Sequence, residues 1–242
     1  MKIGVYGDSF AARWAFSDIE THWWHILGKS LNAEVECFGK SGTSTFFSYK
    51  HFLENHKNFD INIFFVTNFY RYTKQVKLGK QKQEYFATYD QVDVIEKRYK
   101  KELSSTDLSM LDNIRGWFLA SDDEYNEVCQ SLIVKDIVSK DSKVILYPSF
   151  HDSLNESVMK ELNLIPESNA WQWMNKIDEW FKIPVRLDHD EILPVIACHF
   201  TPEINVRFAE AMYNYIVKKE PIKVPKELIE HKHDLEYYFK RK

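Results

Sequence analysis

Glycine is scarce in this chain, with 7 residues in 242, and cysteine scarcer still, with 3. The three cysteines, Cys37, Cys129 and Cys198, stand far apart and form no C-x-x-C pair. That excludes a disulfide framework and fits a reducing compartment. Charge of one sign is also lacking: the formal net charge is −4, which excludes the broad basic face of a general nucleic-acid binder. Long hydrophobic runs are missing too. The N-terminal run ends at Gly7-Asp8, too short for a signal peptide, and no stretch approaches the roughly 18 apolar residues of a spanning helix. The expectation is a soluble, cytoplasmic protein. Neither a P-loop nor a G-x-G-x-x-G is present, so nucleotide chemistry lacks its phosphate cradle. No cofactor is called for. With so few glycines, two of them three positions apart in Gly39-Lys40-Ser41-Gly42 mark a backbone requirement.

What is present reads as one α/β domain. Apolar residues make up 44% and charged residues 28%, ordinary for a globular chain. Runs rich in β-branched and aromatic residues predict strands over 2–6, 33–38, 61–66, 143–150 and 183–187. Residues 61–66, INIFFV, are apolar without alternation, as in a strand covered on both faces. Helical spacing separates them. Ser17-x-x-Glu20 has the form of a capping box ahead of Trp23, Trp24, Leu27 and Leu31. Phe46, Tyr49 and Leu53 predict a second helix, and Ser121-x-x-Glu124 opens another through Val128, Leu132 and Ile133. Residues 169–181 read as helical, and Thr201-Pro202-Glu203 starts a last helix with the stripe Val206, Ala209, Met212 and Ile216. Such alternation predicts a three-layer, flavodoxin-like fold with a mostly parallel five-stranded sheet. The domain spans 1–217, with a helical insertion at about 72–125 as a cap. Residues 218–242, with eight Lys/Arg against five Asp/Glu, read as a solvated extension.

Sheets of this kind bind ligands beyond the carboxyl ends of their strands. There the chain places Gly7-Asp8-Ser9, then Gly42, then Thr67-Asn68, and a histidine, His199, stands just before the last helix. A serine hydroxyl needs a base to attack a carbonyl, and histidine suits that work near neutral pH. Fixed donors must hold the resulting oxyanion; the N–H groups of Ser9 and Gly42 and the Asn68 amide qualify. A metal site is disfavoured: in Asp188-His189-Asp190 adjacent side chains do not converge on one ion, and His231/His233 lie in the tail.

Serine in G-D-S near the N-terminus, then glycine, asparagine and histidine in that order, resembles the SGNH (GDSL-type) hydrolases over about residues 1–70 and 140–217. The resemblance implies Ser9 as nucleophile, Gly42 and Asn68 with Ser9 as oxyanion hole, and His199 as base. It implies a small-molecule or polymer-linked acyl ester as substrate. Three positions depart from the family pattern. The third block reads Val66-Thr67-Asn68-Phe69 rather than G-x-N-D, Phe10 replaces leucine, and Ile196 stands where an aspartate precedes the histidine by three residues. Asp188, Asp190 and Glu191 are candidate replacements, Asp190 first among them. The missing aspartate keeps a second reading open, an SGNH-like domain serving as a structural or interaction module of a larger assembly such as a virus particle. A carbohydrate O-acetyl esterase or acyltransferase would use the same residues. The sequence does not specify the oligomeric state.

Overall fold

The computed structural model describes residues 1–12, 19–69, 71, 74–76, 84–86, 92–93, 96–97, 99, 101–120, 122–150, 153, 158, 168–173, 181–186, 192–197, 200 and 202–226. In chain order the strands are β1 (Lys2–Tyr6), β2 (Glu34–Cys37), β3 (Ile61–Val66), β4 (Lys74–Val76), β5 (Glu84–Phe86), β6 (Ile145–Pro148), β7 (Phe181–Arg186) and β8 (Ile192–Ala197). The longer helices are α1 (Trp23–Leu31), α2 (Thr45–Asn55), α3 (Ser105–Leu119), α4 (Asp123–Lys140) and α5 (Pro202–Lys218).

β2, β1, β3 and β6 form a parallel sheet in that order. Ile3 of β1 pairs with Val35 and Ile61, and Ile63 of β3 pairs with Ile145. Because successive strand side chains point to opposite faces, the apolar run of β3 serves two cores at once. Ile63 and Phe65, with Ile3 and Val5, meet Trp23, Trp24 and Leu27 of α1 and Phe208 and Met212 of α5. Phe64 and Val66, with Tyr6, meet Phe52 of α2 and Val134 and Ile137 of α4. The result is three layers, α1/α5 on one face and α2/α4 on the other. Each fully buried Ile, Phe or Met contributes roughly 1.5–3 kcal/mol relative to exposure. Phe208 is the hub of the first core, its ring within 5.1–6.0 Å of Trp23, Phe65, Tyr147, Trp173 and Phe200.

Several elements differ from the sequence reading. The described parallel sheet has four strands. Residues 183–186 of the expected fifth strand, 183–187, fall in β7, which pairs antiparallel with β8 as a separate hairpin; residue 187 lies outside the described residues. Strand pairing is non-local, so an apolar run does not reveal its partner. α1 begins at Trp23 after His22, later than the Ser17-x-x-Glu20 pattern implies; Ser17 lies outside the described residues. Asp122 rather than Ser121 caps α4, accepting from the N–H groups of Glu124 and Tyr125. Val128 and Leu132, expected in the core, are 53% and 60% exposed, while Asn126 and Gln130 of the same helix are buried. On α5 the buried stripe is Ile204, Phe208, Ala209 and Met212, and Val206 faces outward. The segment after α5 is not a solvated extension throughout: Ile222 and Val224 join the first core, and the Ser168 hydroxyl donates to the Ile222 carbonyl.

Within 72–125, β4 and β5 form an antiparallel pair absent from the sequence reading. α3 opens with a complete capping box, Ser104 and Asp107. Val92, Leu111 and Ile114 make a small core of their own. Arg115 fastens its rim by pairing with Asp93, Glu96 and Asp112.

Candidate active site

Four parallel strands end at one edge, and the loops leaving β1, β2 and β3 are bonded to one another there. The amide of Lys40, beyond β2, donates to the Gly7 carbonyl, beyond β1 (3.1 Å). The Cys37 thiol donates to the Ala11 carbonyl (2.9 Å), and burial pushes its pKa up to about 11. The Thr67 amide, beyond β3, donates to Thr45 Oγ1 at the start of α2 (3.1 Å). Gln130 of α4 reaches the Thr67 carbonyl (2.8 Å) and the Ser153 carbonyl. A buried glutamine is tolerated there because both contacts satisfy its amide.

The G-D-S turn is built around Asp8, which is 1% exposed. Its backbone carbonyl accepts from the amides of Ala11 and Ala12. Its Oδ1 accepts from the Phe10 amide (3.1 Å) and the Ser149 hydroxyl (3.2 Å). Its Oδ2 accepts from Thr67 Oγ1 (2.7 Å) and the Arg71 guanidinium (3.4 Å). A carboxylate offers about four lone-pair sites, and here each has a donor.

Ser9 follows directly, half-buried, and among the described residues its hydroxyl takes no hydrogen-bond partner. Gly42, also half-buried, sits at φ 71°, the left-handed region that favours glycine. Thr43 closes its loop by donating to the Lys40 carbonyl (2.7 Å), and Ser44 caps α2 by accepting from the Phe47 amide. Asn68 is buried at the end of β3, in a turn closed by the Arg71 amide donating to the Asn68 carbonyl (3.2 Å). Ser9, Gly42 and Asn68 thus lie on three interlocked loops at the carboxyl ends of adjacent strands. His199 and Asp190, with Asp188 and Glu191, lie outside the described residues. Phe200, next in sequence to His199, packs against Phe10, next to Ser9, at 5.3 Å between ring centres.

Thr67, Arg71, Gln130 and Ser149 complete the edge and were not read from the sequence as site residues. Ser149 falls at the end of the predicted strand 143–150, directly after the observed β6, which is a local signal. Arg71 had none, since its partners Asp8 and Phe150 are 63 and 79 positions away.

Among the described residues no helix is long and apolar enough to cross a membrane, and no group of three His, Cys, Asp or Glu side chains gathers as a metal site. No family model and no curated protein matches the chain. Among solved structures, the chain is similar to a protein assigned to the lipolytic G-D-S-L family from Desulfitobacterium hafniense DCB-2, with 16% identity over 88% of this chain and 98% of that one and a TM-score of 0.42. It is also similar to a lipase/acylhydrolase from Enterococcus faecalis, with 17% identity over 93% and 99% and a TM-score of 0.41. A third, a member of the lipolytic G-D-S-L family from Veillonella parvula DSM 2008, aligns at 10% identity over 91% and 74% with a TM-score of 0.30.

Proposed function

We propose that the chain is an SGNH/GDSL-like serine esterase acting on an ester or thioester. The observation that carries this reading is the interlocking of the three strand-end loops that bear Ser9, Gly42 and Asn68, anchored through the saturated Asp8 carboxylate. Ser9 Oγ attacks the acyl carbon while His199 takes its proton. The carbonyl oxygen becomes an oxyanion, held by the N–H groups of Ser9 and Gly42 and the Asn68 side-chain amide. The start of α2 lies two residues past Gly42-Thr43, and its positive dipole end favours the same charge. Collapse breaks the bond to the alcohol or thiol, which leaves with the proton from His199, and the acyl group stays bonded to Ser9. Water, giving a proton to His199, then attacks the acyl-enzyme; the acid departs and the proton returns to Ser9. Asp190 orients the imidazole in this scheme, in place of the aspartate that Ile196 replaces.

The packing of Phe200 on Phe10 supports a base at residue 199, because consecutive Cα atoms are only 3.8 Å apart. The test is a fluorophosphonate probe on the purified protein, with the adduct located by mass spectrometry and Ser9→Ala and His199→Ala as controls. Labelling at Ser9 that requires His199 is the expected result. A folded protein that takes no label overturns the mechanism. That outcome would favour the structural or interaction module, the reading that Ile196 supports. In an active protein, competition between water and a carbohydrate acceptor separates O-acetyl hydrolysis from acyl transfer.

A further inference from the structure

We propose that Arg71 is a positioning residue for this site, coupling the Asn68 turn to the Ser9 turn through the buried carboxylate of Asp8. The inference rests on the reading of Ser9 as nucleophile and adds a function for a residue whose side chain contacts Asp8 and Phe150 and not the serine. Arg71 has three attachments. Its amide donates to the Asn68 carbonyl, so the placement of Arg71 and the closing of the Asn68 turn are one event. Its guanidinium donates to Asp8 Oδ2 at 3.4 Å, and Asp8 immediately precedes Ser9. The Cζ of the same group lies over the Phe150 ring, 4.6 Å from the ring centre, beyond the end of β6. Phe150 in turn packs edge-on against Phe10, at 5.6 Å between ring centres. One side chain therefore spans the ends of β1, β3 and β6.

Electrostatics makes the coupling directional. Asp8 is buried and its two hydroxyl partners, from Thr67 and Ser149, bring no charge. Arg71, with its side chain 21% exposed, is the cation in contact with it. Removing one partner of a buried pair leaves the other as an uncompensated charge, which disturbs a structure far more than removing both. Loss of Arg71 alone thus drives the Asp8 carboxylate toward water and turns Ser9 with it. A planar guanidinium that bonds a carboxylate while lying over an aromatic ring is not replaced fully by lysine. Displacement of catalytic groups by about 1 Å costs roughly 100-fold in rate, so the expected effect is on turnover and not on substrate affinity.

The experiment measures fluorophosphonate labelling of Ser9 and p-nitrophenyl acetate hydrolysis for the parent, Arg71→Met, Arg71→Lys, Asp8→Asn and Asp8→Asn/Arg71→Met, each checked for folding by circular dichroism. Arg71→Met is expected to lower kcat by roughly 10- to 100-fold with KM nearly unchanged. Arg71→Lys recovers part of that loss. The double variant labels faster than Arg71→Met, because no unpaired carboxylate remains. If Arg71→Met fails to fold, Arg71→Lys carries the test, and its labelling at the parent rate overturns the inference. A folded Arg71→Met that labels at the parent rate overturns it equally and leaves the nucleophile reading intact. A parent protein that takes no label at Ser9 overturns both.

Discussion

A methyl group added at residue 7 tests how tightly the first turn of the site is built. Gly7 has φ 152°, a conformation that side chains rarely adopt. A Cβ there would lie 2.5 Å from Phe65 Cβ and 3.0 Å from Ala11 Cβ. Neither neighbour yields easily. Phe65 is fully buried, with its ring against Trp23 at 5.4 Å and Tyr147 at 5.5 Å between centres. Overpacking of a filled core costs about 1–3 kcal/mol, and the strained backbone adds about 1–3 kcal/mol. Taking about 4 kcal/mol for Gly7→Ala, the melting temperature falls by roughly 8–16 °C for a chain of this size. Gly116 supplies the opposite case within the same molecule. It stands inside α3, and a Cβ there meets nothing within 4 Å. Gly116→Ala is expected to gain about 0.5–1 kcal/mol through helix propensity, raising the midpoint by roughly 1–4 °C. Thermal denaturation followed by circular dichroism reads both. The reasoning is refuted if Gly7→Ala melts within about 2 °C of the parent, or if the two substitutions shift the midpoint in the same direction.

Phe208→Ala removes the ring on which α1, α5 and the sheet converge; a cost of about 3–5 kcal/mol is expected, seen as a lower urea midpoint and a changed tryptophan emission from Trp23 and Trp173. A midpoint unchanged from the parent would show that the first core does not depend on this helix. Cys37, whose pKa burial pushes up to about 11, stays a thiol at pH 8 and resists iodoacetamide until the protein unfolds. Because the folded-state pKa lies above the unfolded value of about 8.5, its contribution to stability is complete below that pH and is lost as pH rises toward about 11. Alkylation of the folded protein at pH 8 as fast as of the urea-unfolded chain, followed by peptide mass spectrometry, would contradict this.

Local physics was legible where it acted locally. The runs that became β1, β2 and β3 carry their β-branched and aromatic residues in sequence, and Pro202 marks the start of α5. The Ser104-x-x-Asp107 box is equally local, with aspartate at N3 where the usual capping box has glutamate or glutamine. The helix period of α4 was readable, but its inward face was not. Val128 and Leu132 look like a core stripe, yet they are exposed while Gln130 is buried. Its amide is satisfied by the carbonyls of Thr67 and Ser153, 63 and 23 positions away, and no periodicity reports such partners.

The candidate site divides along the same line. Ser9, Gly42 and Asn68 were found because each falls just after an apolar run, and strand ends are where a parallel sheet exposes its loops. Their order and residue types belong to the sequence alone. What only the tertiary structure decided is the company they keep. Strand order β2-β1-β3-β6 sets the three loops side by side, and the fold buries Asp8 against donors from Thr67, Arg71 and Ser149. A buried carboxylate must find its hydrogen bonds wherever the chain returns, so its partners follow from how strands pair across the sheet and not from what stands next to it in sequence.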